Sequence, residues 1–172
     1  MELMVTMSIV VSISGVLVAV FRMNQQCWEV AQAHLSVSME LRRAMDEMSR
    51  ELVSTQVAQV DIPADGNWYP SITFSVPEDV DGDGTVLDSS GVLEWSDSIT
   101  FSLGGETGEQ ALREQDGELD RIMANGVTEL EFRREAATPN VVEVQMTVEK
   151  AVHTKDFPHT ATLSTRVRLR NN

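Results

Sequence analysis

One short string carries most of the metal-binding chemistry in this sequence. Asp79, Asp81 and Asp83 stand at every second position, and Gly84 follows them. Carboxylates with this spacing can converge on one cation, and the glycine permits the sharp turn that brings them together. The string is the first half of an EF-hand-like loop, and it predicts a structural calcium site.

The second half of the loop departs from that pattern. Ser90 stands where a bidentate glutamate is expected, so Asp88 or Glu94 would have to take its place. Two interpretations therefore stay open: a calcium ion that stiffens a long connection between two strands, or a solvated Asp/Gly turn without metal. On the first interpretation the predicted ligands are Asp79, Asp81, Asp83, Thr85 and Asp88.

The other chemically active side chains form no catalytic set in the sequence. His34, His153 and His159 are scattered without ligand spacing, which favours ordinary surface or core histidines over a zinc site. The sequence contains no nucleophile elbow, phosphate-binding loop or dinucleotide fingerprint. We therefore expect a protein that is not an enzyme.

The aromatic residues raise the question of a ligand platform. Trp28 suits a membrane interface, because an indole ring is apolar at one end and polar at the other. Trp68, Tyr69 and Trp95 suit a core or a surface contact. We expect these four residues to be structural.

The charge of the chain limits its partners. The formal net charge is -14, and residues 61–172 carry 21 acidic and nine basic side chains. Such a surface repels phosphate backbones and anionic lipid headgroups, so no direct binding of nucleic acid is expected. Cys27 is the single cysteine, which excludes an intramolecular disulfide and favours a small buried side chain over an intermolecular bridge.

An apolar segment opens the chain. Leu3 to Phe21 contains nineteen residues without a charge or a proline, between Glu2 and Arg22. As a helix it nearly spans a hydrocarbon core of about 30 Å. It lacks the basic start and small-residue exit of a cleaved signal, so we expect it to be retained. Arg22 alone favours an external N-terminus, so we expect either that a basic leader precedes this sequence or that other features set the orientation.

A second helical pattern follows without interruption. Residues 23–58 contain neither Gly nor Pro, and apolar residues recur at spacings of three and four: Val30, Ala33, Val37, Leu41, Met45, Met48 and Leu52. This predicts one continuous helix of about 55 residues and about 80 Å, ended near Pro63. No small domain needs such a helix for its own core. The first half must therefore be buried in lipid or in neighbouring helices, while the second half packs on its own domain.

Beyond Pro63 the periodicity becomes alternating. Five segments predict strands of an antiparallel sheet, one face of which covers the second half of the helix: 72–76, 98–103, 127–132, 142–148 and 161–169. The predicted class is α+β. The predicted units are 1–22 (membrane-spanning or filament-core helix half), 23–60 (amphipathic continuation) and 61–172 (β-rich domain).

The start of the chain resembles a known family. Glu2-Leu3-Met4-Val5, followed by an apolar run dotted with Ser and Gly, is similar to the mature start of prepilin-type proteins. That family typically begins Phe-Thr-Leu-hydrophobic-Glu, after a basic leader removed by prepilin peptidase. Here Met1 occupies the hydrophobic position, and neither Phe-Thr-Leu nor the leader is present. A start codon set too far downstream, or a trimmed chain, explains the difference.

The resemblance continues along the chain. Segments 124–132 and 164–171 are similar to PilW-type minor pilins and J-type pseudopilins (PulJ/GspJ). The resemblance implies a type IV pilin-like fold and a single-pass subunit of the bacterial inner membrane with a periplasmic domain. Its partners would be other pilins or pseudopilins, bound through the N-terminal helix in a type IV pilus or a type II secretion pseudopilus. The implied assembly residues are Glu2, Leu3, Met4, Val5, Gly15 and Phe21.

Two of these residues have alternative roles. In the resembled family the glutamate that matches Glu2 neutralises the N-terminal amine of a neighbouring subunit, whereas an ordinary anchor would keep this carboxylate among the headgroups. Gly15 serves either close helix packing or local unwinding during assembly.

The functional expectation is a minor pilin that helps to initiate or cap a filament. A major, repeating pilin uses the same helix and is the alternative within the class. A membrane-tethered, calcium-dependent adhesion or binding module is the alternative from another class, in which the β domain acts and the helix only anchors it.

Overall fold

The computed structural model describes residues 2–150 and 158–170. Its first element, α1, is one unbroken helix from Glu2 to Ser54. The helix ends earlier than the sequence predicts, because the next residues bond to strands. The Thr55 hydroxyl donates to the Ser75 carbonyl at 2.5 Å, and the Thr55 carbonyl accepts from the Arg170 N–H at 3.0 Å. A 3-10 turn, Val57–Gln59, completes the exit.

In the described part of the chain, eight strands follow in two four-stranded sheets. They are β1 (Trp68–Tyr69), β2 (Ser71–Phe74), β3 (Ile99–Gly104), β4 (Gln110–Gln115), β5 (Arg121–Asn125), β6 (Val127–Glu135), β7 (Thr138–Lys150) and β8 (His159–Arg168). Sheet A has the order β1-β6-β7-β8 and sheet B the order β2-β3-β4-β5. All neighbouring strands are antiparallel. The predicted α+β class and antiparallel pairing are confirmed, while the prediction of one sheet is wrong.

The five predicted strands correspond to β2, β3, β6, β7 and β8, and sequence reasoning missed β1, β4 and β5. The pairing of β4 with β5 shifts register between Ala111 and Leu112, and both of these neighbours are buried. Met123 and Ala124 on β5 are likewise both buried. An irregular pair of strands of this kind loses the strict alternation by which a strand is recognised.

A second irregularity explains the uneven spacing of the apolar residues on β6. Val127, Leu130 and Phe132 are all buried, although the first two stand three positions apart. The register with β7 shifts between Val127 and Glu129. The extra residue therefore lets both Val127 and Leu130 face the core.

The core lies between α1 and the sheets. The helix contributes Val37, Leu41, Ala44, Met45, Met48 and Leu52, each at most 3% exposed. It packs against β7 and β8 of sheet A and against β5 of sheet B. On β7 the predicted inward row is fully buried: Val142, Val144, Met146 and Val148.

Gly126 allows the chain to pass from sheet B to sheet A. Its φ is +65°, and a Cβ atom there would lie 2.5 Å from the Glu149 carbonyl oxygen. The Glu149 N–H donates to the Gly126 carbonyl at 2.7 Å, which holds the two backbones together. A side chain at this position would break that approach.

Candidate functional site: the exposed helix half and the acidic connection

Within ranges 2–150 and 158–170, no other part of the chain packs against the first half of α1. Every residue from Glu2 to Phe21 is exposed, and the large apolar side chains range from Ile9 at 53% to Met4 at 81%. Within the described residues, α1 is the one helix long and apolar enough to cross a membrane. A contiguous apolar surface of this size is stable only against lipid or against other protein.

The predicted assembly residues all lie on this uncovered half. Glu2, Leu3, Met4 and Val5 form its first turn, and Phe21 is 63% exposed at its other end. A Cβ atom on Gly15 would meet nothing within 4 Å. The chain itself therefore does not require a glycine here, and close packing at Gly15 would need a second molecule.

Two hydroxyl groups within the apolar half, those of Thr6 and Ser12, are satisfied by the helix backbone. The Thr6 hydroxyl donates to the Leu3 carbonyl at 3.0 Å, and the Ser12 hydroxyl donates to the Ser8 carbonyl at 2.8 Å. Such bonds inside one helix allow hydroxyls in an environment without water.

The second half of α1 is held to sheet B by acidic side chains that sequence reasoning missed. Arg113 Nε donates to both carboxylate oxygens of Glu51 at 3.0 Å, and Arg121 pairs with Glu47. About two turns before Glu47 in the helix, Glu40 Oε1 accepts from the Asn125 N–H at 2.9 Å. The signal was the recurrence of Glu at 40, 47 and 51 beside the apolar stripe, which places three carboxylates on one flank of the helix.

The β2–β3 connection brings the three predicted aspartates together. Asp79, Asp81 and Asp83 each offer an oxygen, and these oxygens lie within 4.8 Å of one another. Asp79 accepts backbone N–H bonds from Gly82 at 2.7 Å and Gly84 at 2.8 Å. The loop is thus folded around its carboxylates, and this Asp triad could hold a metal ion. A set of oxygen donors suits a hard cation.

Asp88 and Glu94, the two candidates for the last calcium ligand, make different contacts in the connection. The Asp88 carboxylate accepts from the Ser90 N–H at 2.8 Å and from the Val92 N–H at 2.9 Å, so it caps the following turn. Glu94 Oε2 instead accepts from the N–H of Val80 at 2.8 Å, and Val80 lies between Asp79 and Asp81 in the sequence. Thr85 donates its hydroxyl to Asp83 at 2.8 Å. Of the two, Glu94 is the carboxylate that contacts the triad's own loop.

The structure brings two of the histidines together. The rings of His34 on α1 and His159 on β8 are 4.5 Å apart at their centroids, at an angle of 43°. Their 125-residue separation in the chain gave no hint of this contact. His153 lies outside the described residues. Cys27, expected to be buried, is exposed.

The aromatic residues do not form one platform. Trp28 is 72% exposed on α1. On β1, the Trp68 ring lies under the Arg133 guanidinium at 4.6 Å, and the Tyr69 hydroxyl donates to Asp65 at 2.6 Å. This hydrogen bond lowers the pKa of Asp65 and raises that of Tyr69.

Two arginines of β6 stabilise sheet A. Arg133 on β6 donates to Glu143 on β7, and this bond holds the pKa of Glu143 below its ordinary value. Arg134 is buried, and burial lowers its pKa. Its guanidinium donates to the carbonyls of Ile62 at 2.8 Å and Pro139 at 3.0 Å. Arg133 and Glu143 also line a small surface cavity together with Glu135, Thr138, Val141 and Arg166.

Comparisons with known protein families, with curated proteins and with solved structures gave no match. The geometry defines a class of protein: an α+β chain whose long N-terminal helix is apolar and uncovered in its first half and packed on antiparallel sheets in its second.

Proposed function

We propose that this chain is a filament subunit of the type IV pilin and pseudopilin class. It acts as a minor pilin that helps to initiate or cap a type IV pilus or a type II secretion pseudopilus. Its partners are other pilins or pseudopilins, which bind its N-terminal helix. Before assembly it resides in the bacterial inner membrane as a single-pass protein with a periplasmic β domain.

The continuity of α1 supports this proposal more than any other observation. The same helix that is exposed on all sides from Leu3 to Phe21 is buried along one face from Val37 to Leu52. A simple anchor can be joined to its domain by any flexible linker. A rigid helix instead fixes the β domain at a set distance and orientation from the apolar half. A subunit packed in a helical array needs such a fixed orientation.

Glu2 adds a specific role. It lies in the first turn of α1, at the end of the apolar segment, and is exposed. A carboxylate inside a bundle of apolar helices is stable only when paired. We propose that it pairs with the N-terminal amine of a neighbouring subunit and so sets the axial register of the two helices.

The test replaces Glu2 with Ala in the native full-length gene. Surface filaments are sheared and blotted, and the membrane level of the subunit is measured in parallel. Glu29→Ala, an acid on the same helix beyond the apolar segment, is the matched control. We expect loss of assembly at an unchanged membrane level for Glu2→Ala only. Normal assembly of the Glu2 variant would contradict the proposal.

The Asp triad favours a second candidate function, a membrane-tethered, calcium-dependent binding module. Its test exchanges residues 3–21 for an unrelated membrane span of equal length. Function would survive the exchange in a tethered module and would be lost in a pilin. A major pilin, the alternative within the class, would dominate the mass of sheared filaments.

Calcium is the ion we propose for the triad. It accepts six to eight oxygen ligands in flexible arrangements, which fits an exposed loop that water can complete. Asp79, Asp81 and Asp83 would hold it, with Glu94 the nearest further carboxylate. The ion would offset the repulsion between these carboxylates and stiffen the β2–β3 connection.

A further inference from the structure

The side of α1 that faces away from the sheets carries unpaired arginines. Arg42, Arg43 and Arg50 are exposed, and none of them forms an ion pair with any residue in the ranges 2–150 and 158–170. By contrast, Arg113 and Arg121 on sheet B both pair with helix glutamates. Unpaired cations are unexpected in a chain whose net charge is -14. We call Arg42, Arg43 and Arg50 the arginine face.

Helix geometry turns the arginine face away from the core, with Asp46 and Glu47 of the same helix beside it. At 100° per residue, Arg43 and Arg50 project opposite Leu41 and Met48, whose side chains are buried against the sheets, and Arg42 lies on the flank. Glu47 is already paired with Arg121, so Asp46 is, among the described residues, the one acid on this face for three arginines. Neutralising all three arginines therefore requires a second molecule.

The same chain contains a surface of complementary charge. The β2–β3 connection, residues 75–98, contains seven acidic residues and no Lys, Arg or His. It is exposed over most of its length, and it also exposes apolar side chains, such as Val80 at 65% and Val92 at 60%. The arginine face likewise has exposed apolar neighbours, Met39 at 71% and Val53 at 52%.

We propose that the arginine face of one copy docks on the acidic β2–β3 connection of a second copy. Opposite charges select the partner and its orientation, and the apolar residues on both sides supply area that excludes water. Because the two surfaces differ, the contact is head-to-tail. The inference rests on the proposed filament function, for which it names a partner surface outside the apolar helix half.

A membrane surface is a poorer partner for these arginines. Arg42 lies twenty residues beyond Arg22, or about 30 Å along the helix, whereas screening limits attraction to headgroups to about 8–10 Å. Phosphate backbones would leave Met39 and Val53 without apolar contact. The surface chemistry therefore favours an acidic protein surface.

The test uses two charge-reversed full-length proteins in detergent micelles with a calcium chelator. One carries Arg42→Glu and Arg43→Glu. The other carries Glu78→Lys and Asp97→Lys, two exposed acids of the connection that accept no hydrogen bond through their side chains within the described part of the chain. Association is measured by energy transfer between labelled copies and by sedimentation. The apolar half and Glu2 stay native, so failure of docking is distinguishable from failure of the Glu2 test.

We expect each variant alone to associate at least about tenfold more weakly than the natural chain, because like charges then meet. An equimolar mixture should regain association. The intact arginine face of the Glu78→Lys and Asp97→Lys variant can then meet the intact acidic connection of the Arg42→Glu and Arg43→Glu variant. High salt should weaken the natural contact. The control variant carries Arg168→Glu and Arg170→Glu, which replace two other exposed arginines and change the net charge by the same amount. This variant should associate normally.

Natural-strength association of either variant alone would overturn the proposal. So would a mixture that stays as weak as its components, because complementary charge would then not be the cause. If only vesicles of anionic lipid, and not a second copy, bind the arginine face, the partner is a membrane and the proposal is wrong.

Discussion

Arg113 on β4 and Glu51 on α1, 62 residues apart in the chain, form a forked ion pair in which Nε donates to both carboxylate oxygens at 3.0 Å. The same carboxylate lies 3.4 Å from Arg121 on β5. Sheet B therefore has a polar attachment to the helix in addition to its apolar contacts. The position of the β2–β3 connection, which belongs to sheet B, depends on this attachment.

Replacing Glu51 with Ala should loosen sheet B while sheet A stays intact. Both partners of the pair are at most 23% exposed, so its loss should cost about 1 kcal/mol of stability. Hydrogen exchange of the full-length protein in micelles should become faster in β4 and β5 and stay unchanged in β7. Asp46→Asn, an exposed change on the same helix, is the control. Equal acceleration in both sheets would contradict a local role.

The buried and exposed leucines of α1 should respond differently to truncation. Leu41 is 3% exposed in the core, while Leu35 is 63% exposed one and a half turns earlier. Leu41→Ala leaves a cavity and should cost about 2–5 kcal/mol, whereas Leu35→Ala should cost well under 1 kcal/mol. Urea unfolding in micelles, followed by tryptophan fluorescence, measures both. Similar losses would mean that the two faces of the helix are wrongly assigned.

Calcium should stabilise the chain through the Asp triad and not through Asp88. Asp81→Asn removes a charge while its amide oxygen can still accept the Asp83 N–H bond, which is 3.0 Å long in the natural loop. We expect calcium to raise the melting temperature of the natural chain and of Asp88→Asn, and to raise that of Asp81→Asn by less, because one of the three negative charges around the ion is lost. Magnesium at the same concentration tests ion selectivity. If calcium changes none of the three melting temperatures, the connection is a metal-free turn.

The Arg133–Glu143 pair should make stability depend on pH in the acid range. The hydrogen bond from Arg133 holds the pKa of Glu143 below its ordinary value of 4.5. A carboxylate whose pKa is lower in the folded state than in the unfolded state stabilises the fold at pH values above its unfolded-state pKa. This contribution is lost as the pH falls through its folded-state pKa. Glu143→Gln should therefore be less stable than the natural chain at pH 7.

The difference between these two proteins should shrink as the pH falls below about 4.5. Glu149→Gln, an exposed change on the same strand, is the control and should follow the natural chain at every pH. Unfolding by urea at pH 7, 5 and 3 provides the comparison. A gap that stays constant over this range would show that Glu143 acts only by packing.

The acidic loop illustrates how far local sequence can predict a site. The convergence of Asp79, Asp81 and Asp83 is set within five residues by alternating spacing and by Gly82 and Gly84, so it could be predicted. The choice between Asp88 and Glu94 could not, because Glu94 reaches Val80 only after the connection has folded back on itself.

The sequence by itself determined the features that depend on neighbours along the chain: the helix, its apolar first half and amphipathic second half, and the alternating strands such as 142–148. Its periodicities of 3.6 and 2 are direct consequences of backbone geometry. Only the tertiary structure decided the division into two sheets, the bulged strands β4 and β5, and the contacts of Glu51 with Arg113 and of His34 with His159. Those contacts join residues more than sixty positions apart, and their partners are chosen by how the sheets pack around one helix face, which no local pattern records.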